Sequence, residues 1–210
     1  MQLVLASASP ARLMLMRQAG IEPLLRPTDV DEDALIQAHI AEQGSISPQQ
    51  YVMLLARAKA EAFLGTPDAA SFTGLVFGGD SSLELDGEML GKPHTPERAR
   101  ERWLAQRGKT AVLHSGHCLI RVEAGRVAQL AESATATELT FSPDITEDEI
   151  DAYVATGEPL KVAGAFTIDG RGAAFIDTIT GDPSTVIGMS IPAVRRLARE
   201  LGVAWPELTA

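Results

Sequence analysis

The sequence predicts an α/β fold built on a mixed sheet, and three features carry that expectation. A short apolar strand runs straight into a well-capped helix at the N-terminus. A second strand, near residue 75, follows a long amphipathic helix. The middle of the chain, about 110–141, is extended and broken once by a turn, which reads as a long hairpin. Strand–helix alternation alone would point to a parallel sheet, but long hairpins demand antiparallel neighbours, so the sheet is mixed.

The elements follow in order. QLVLA (2–6) reads as a buried strand. Ser9 is a good N-cap and Pro10 a good first helical residue, so a helix is expected over 10–19, stopped by Gly20. Ser47 with Gln50 forms a capping box with Pro48 inside it, opening a helix whose apolar face is read as Tyr51, Leu54, Leu55, Ala58 and Ala62, with Lys59 at its edge. LVF (75–77) reads as a strand running into Gly78, Gly79 and Asp80, followed by more strand, an Asp86-Gly87 turn and a short return strand. Thr95-Pro96-Glu97 opens a helix ending near Gly108. EAGR (123–126) is the turn of the long hairpin. Thr146 and Glu149 make another capping box, with a helix to Gly157. Residues 173–180 read as a strand, and a last helix runs from near Pro192 to Gly202. The extended middle region is the candidate place for a boundary between lobes.

Composition narrows the function. The chain has 210 residues, 45% of them hydrophobic, which supports a packed core. Its single cysteine, Cys118, allows no internal disulfide and no cysteine-based zinc cluster, a pattern expected of a reducing, cytoplasmic setting. The early Ala6-Ser7-Ala8 lacks the basic residue and the long apolar run of a signal peptide, and no stretch reaches the length of a membrane span. A formal charge of −10 argues against a nucleic-acid polymer as partner, but not against a small anion held by local Lys and Arg.

Several segments could carry chemistry, and each has an ordinary explanation. In SASPAR (7–12), helix N–H groups, the hydroxyls of Ser7 and Ser9 and the Arg12 guanidinium could hold a phosphate; equally, Ser9 is a plain cap and Arg12 a solvated side chain. Lys59 beside an apolar stripe ordinarily snorkels, and Lys92 sits in a Gly-Lys-Pro turn. VDED (30–33) is either a helix start or a source of carboxylate for a hard cation. GEMLGKP lacks the spacing and the Ser/Thr of a P-loop, and GRGAAF is no dinucleotide fingerprint. His114 and His117, three apart on a strand, face opposite ways and make a poor metal pair. GDSSL (79–83) has a superficial likeness to GDSL-type esterases through Ser81, but no histidine follows His117 to activate it.

Eight segments in order resemble one family. They are SASPAR (7–12), VDE (30–32), ARAKA (56–60), GDS (79–81), DGEMLGKP (86–93), YVATGEP (153–159), AGAFTIDG (163–170) and GDPSTVIG (181–188). Together they resemble the Maf family of nucleoside triphosphate pyrophosphatases over nearly the whole chain. The resemblance implies a single domain over 1–210 with a long bent mixed sheet, two lobes and a central cleft, similar to the ITPase-like fold, and often a homodimer. It also implies hydrolysis of (d)NTPs, including modified or non-standard nucleotides, between the α and β phosphates, giving a nucleoside monophosphate and pyrophosphate with a divalent cation, Mg²⁺ or Mn²⁺. By resemblance Asp80 is the general base and a metal ligand, Glu32 a metal partner, and Ser7, Ser9, Arg12, Lys59 and Lys92 the phosphate grip. Ala11, Ser81 and Asp169 occupy positions that bear on base choice, and they depart from the family's dTTP/UTP-preferring subgroup, so no base preference carries over. The alternative is a nucleotide-binding regulator of cell division with little turnover.

Overall fold

The computed structural model describes residues 1–209. In chain order its elements are β1 (Leu3–Leu5), α1 (Pro10–Gln18), β2 (Leu24–Leu25), α2 (Glu32–Gln43), α3 (Pro48–Leu64), β3 (Gly74–Leu85), β4 (Glu88–Leu90), α4 (Pro96–Gln106), β5 (Thr110–Glu123), β6 (Arg126–Phe141), α5 (Glu147–Ala155), β7 (Ile176–Thr180), α6 (Pro183–Ile187) and α7 (Ile191–Glu200). Short 3₁₀ turns fill the connections.

Helix ends sit where the capping chemistry places them. The hydroxyls of Ser9, Ser47, Thr95 and Thr146 each accept from a backbone N–H three residues on, and the Ser47 and Thr146 boxes are closed reciprocally by Gln50 and Glu149. Asp31 does the same for α2, so VDED is a helix start, and Ser190 does so for α7. Asp86 and Gly87 both have positive φ, as a tight hairpin turn between β3 and β4 requires.

The sheet is mixed and, among the described residues, seven-stranded, in the order β2-β1-β3-β5-β6-β7, with β4 pairing β3. β1 pairs in parallel with both β2 and β3, while β3–β4 and β6–β7 are antiparallel. The fold is α/β, with helices flanking an open sheet.

The chain divides into two compact units, and the division passes through β3, β5 and β6. The first comprises Met1–Asp80, Ser115–Thr135 and the chain from Gly188. Its core packs Val4, Ala6, Ala56, Ala60, Phe63 and Val76 with Cys118 and Ile120. The Cys118 thiol is buried, and burial pushes its pKa up to about 12, which leaves it unreactive. The second unit comprises Ser81–His114 and Ala136–Ile187. Its core centres on Trp103, edge-on to Phe141, Tyr153 and Phe175 at 5.3–5.5 Å, with its indole N–H donating to the Ala165 carbonyl.

Two expectations need correction. The buried face of α3 is Val52, Leu55, Ala56, Ala60 and Phe63, with Tyr51, Leu54, Ala58 and Ala62 only half-buried. The helix is apolar on more than one side, so periodicity alone left its rotation about one residue out. Likewise β7 starts at Ile176, because residues 171–175 close a 3₁₀ turn first.

Candidate active site

The glycines before Asp80 explain how the site assembles. A Cβ on Gly78 would lie 2.1 Å from the Ala56 carbonyl and 2.6 Å from the Ala60 amide, so only glycine lets the backbone of α3 rest on β3. One position on, a Cβ at Gly79 would lie 3.0 Å from Arg12 Nε, so the guanidinium crosses the strand there. Asp80 comes next. The GGD run therefore brings α3 and Arg12 onto β3 just where the strand presents a carboxylate.

Lys59, one turn after Ala56, reaches that carboxylate. Its Nζ lies 2.7 Å from Asp80 Oδ1 and 2.7 Å from Glu32 Oε1. The Lys59 and Asp80 side chains are 14% and 12% exposed, whereas Glu32, in the first turn of α2, is 45% exposed. Thr28 ties down α3 at the same residue, its hydroxyl donating to the Lys59 carbonyl at 3.0 Å.

Arg12 is buried, its Nε donating to the Gly188 carbonyl at 2.9 Å and its Nη1 to Ser7 Oγ at 3.0 Å. Ser7 Oγ also accepts from the Ser9 amide at 3.2 Å, while Ser9 Oγ caps α1 through the Arg12 amide. Ser9 is thus the helix cap that the sequence suggests, but Arg12 is not the solvated side chain of that reading: it is buried, and the same loop places Ser7 against it.

The electrostatics follow from this packing. Burial raises the Asp80 pKa above the ordinary carboxylate value; Lys59 and Arg12 pull it down without cancelling that effect, and Glu32 adds to the rise. Burial likewise lowers Arg12, which Asp80 and Glu32 oppose. Tyr51, two turns before Lys59 on α3, was missed as a site neighbour. Its phenol is raised by burial first and then by Asp80, Glu32 and Asp33, which places it within their field. Its position on the helix that carries Lys59 was the available signal. The contact of Arg12 with Gly188 was also missed, although Gly188 closes the GDPSTVIG segment, and His117 was weighed only as a metal ligand.

Ala11 is half-buried in the first turn of α1. Ser81, Lys92 and Asp169 belong to the second unit. Ser81 is half-buried in β3, Lys92 is exposed in the loop after β4, and Asp169 is exposed and accepts from the Thr167 hydroxyl. His114 pairs with Glu84 at 2.7 Å, whereas His117 belongs to the first unit, so the two histidines do not share a ligand position. Among the described residues no group of three or more His, Cys, Asp or Glu is arranged to hold a metal. Asp80 and Glu32 are two hard oxygen donors that converge on one point, which the Lys59 ammonium fills.

Comparison with known proteins identifies the family of the chain. The model of the Maf family, described as Maf-like protein, matches residues 2–201. A protein of Leifsonia xyli subsp. xyli is 56% identical over 99% of this chain and 96% of its own length. One from Corynebacterium diphtheriae is 51% identical over 93% of this chain and 92% of its own, and one from Nocardia farcinica 49% identical over 98% and 95%. All three are named nucleoside triphosphate pyrophosphatase. With the family model covering nearly the whole chain and these relatives 49–56% identical over nearly their full length, this chain belongs to the Maf family.

Proposed function

We propose that this protein is a nucleoside triphosphate pyrophosphatase, hydrolysing (d)NTPs, including modified or non-standard ones, between the α and β phosphates to a nucleoside monophosphate and pyrophosphate. The single observation that carries the reading is the convergence of Asp80 and Glu32 on one cationic point beside the buried Arg12. A triphosphate is polyanionic and resists attack until its charge is offset, and cations beside a carboxylate address both needs.

The donor set suits Mg²⁺ or Mn²⁺. Such ions keep several waters and need only one or two protein carboxylates with substrate phosphates completing the shell. Asp80 and Glu32 would hold the ion, which when bound offsets phosphate charge and lowers the pKa of water. Asp80 is proposed to orient the attacking water and accept its proton, which a carboxylate pushed toward neutrality does more readily than an ordinary one. Arg12 and Lys59 hold phosphate oxygens, with Ser7 and Ser9 adding donors at the start of α1 and Lys92 a further ammonium. Ala11, Ser81 and Asp169 are proposed to bear on base choice. Residence in the cytoplasm accords with the single buried thiol; among the described residues no helix is long and apolar enough to cross a membrane.

The test is product analysis on a panel of canonical and modified triphosphates with Mg²⁺ or Mn²⁺. Equimolar monophosphate and pyrophosphate are expected. Orthophosphate with a diphosphate would show a different cleavage, and tight nucleotide binding without turnover would favour a regulator instead.

A further inference from the structure

Buried hydrogen bonds at the two ends of a three-residue backbone segment, 188–190, tie β5 to Arg12 within the first unit. His117 is fully buried, and its Nε2 lies 2.8 Å from the Ser190 amide, which donates to it. Nε2 therefore carries no proton, so the ring is the neutral tautomer with its hydrogen on Nδ1, donating to the Ser133 carbonyl at 3.1 Å. Ser190 is 1% exposed, and its hydroxyl caps α7 through the Ala193 amide at 3.1 Å. Two residues earlier, the Gly188 carbonyl accepts from Arg12 Nε. That bond and the one to Ser7 Oγ fix two points of a rigid planar fork and so set the plane of the guanidinium.

We propose that His117 is a positioning residue for Arg12: its bare Nε2 pins the Ser190 amide, and through that residue the Gly188 carbonyl that aims the guanidinium at substrate phosphate. The proposal rests on the reading of Arg12 as a phosphate ligand. The ordinary alternative is that His117 merely fills the core beside Phe77, whose ring is 6.2 Å away, and that α7 is held by its own cap. The two differ in what matters about the side chain: an acceptor at the Nε2 position, or volume.

Two substitutions separate them. In H117Q the amide oxygen can take the place of Nε2 and accept from Ser190. In H117N the shorter amide keeps only the donor toward Ser133. The first readout is hydrogen exchange of the Arg12 Nε–H by ¹H–¹⁵N NMR, which does not depend on turnover. H117N is expected to speed that exchange about tenfold or more, and H117Q to restore most of the protection. The second is calorimetric binding of inorganic pyrophosphate, which H117N should weaken about tenfold. That loss should vanish in an Arg12→Ala background, because residues acting through one another do not add. Should H117N fail to fold, H117L, which keeps apolar volume and offers the Ser190 amide no acceptor, takes its place in both measurements. Protection of Arg12 Nε–H in H117N equal to that in the parent, or effects on pyrophosphate binding that add to those of Arg12→Ala, would overturn the proposal. Failure of the parent protein to release pyrophosphate from any triphosphate would instead overturn the functional reading, and the exchange measurement would still decide the role of His117.

Discussion

Lys59 Nζ lies 2.7 Å from Asp80 Oδ1, yet Asp80 is held toward its neutral form. The ammonium divides its charge between Asp80 and Glu32, while the carboxylate sits almost wholly out of water. Burial outweighs pairing. For the proposed role of Asp80 as base this is a useful imbalance, because a proton acceptor works best when its affinity for the proton approaches the working pH.

Asp80→Asn separates catalysis from stability. A raised folded-state pKa means that the group's stabilising contribution is complete below the unfolded value of about 3.9 and is lost as pH rises through the folded value. Wherever Asp80 is ionised it thus weakens the fold, and an uncharged asparagine removes that weakening. Pyrophosphate release should fall by about 10²–10⁴-fold, while the melting temperature at pH 7 stays level or rises. A fall in melting temperature would show that Asp80 stabilises the fold.

Lys59→Met removes a partner that holds the Asp80 pKa down, so that pKa should climb further. Titration of the Asp80 carboxyl carbon by ¹³C NMR in metal-free protein measures this without reference to turnover. The same variant should gain stability on acidification over a window displaced upward from that of the parent. An unmoved titration would mean that burial alone sets the value.

Chelation should abolish turnover, and Mg²⁺ or Mn²⁺ should restore it. Glu32→Gln should raise the metal concentration for half-maximal activity by about tenfold or more, since it removes one of two converging carboxylates. An unchanged metal requirement would take Glu32 out of the ligand set.

Gly78→Ala should be far costlier than its size suggests. Its methyl would meet the Ala56 carbonyl at 2.1 Å, and backbone cannot rotate away as a side chain can. Chemical denaturation should show a loss of about 3 kcal/mol, with turnover falling as Lys59 shifts. Gly65→Ala is the control. A Cβ there has its nearest contact at 3.6 Å, and φ is −81°, so the change should be neutral within about 0.5 kcal/mol.

Local chemistry in the sequence predicted the element boundaries well and the long-range contacts hardly at all. Ser9, Ser47, Thr95 and Thr146 marked helix starts because a cap is a bond between near neighbours. Asp86-Gly87 marked its turn for the same reason. The face of α3 was misjudged because the helix is apolar on more than one side, and the strand it rests on at Gly78 lies in another element. The roles of Lys59 and Glu32 had ordinary explanations residue by residue, and only the order of eight segments suggested that they act together. Gly188 lies 176 residues from Arg12 and His117 lies 73 from Ser190, so neither bond could be read locally.

The paired glycines of β3 also bear on how this protein can diverge. Because Gly78 is in register with the main chain of α3, the spacing between the Lys59 and Asp80 backbones depends on no particular hydrophobic side chain. Phe63, Val76 or Ile120 can drift among similar volumes and leave the charged trio in place, at a cost in stability alone. Gly78 and Gly79 have no such latitude. Lineages that changed base preference would be expected to vary elsewhere in the chain, with this two-residue gauge held constant.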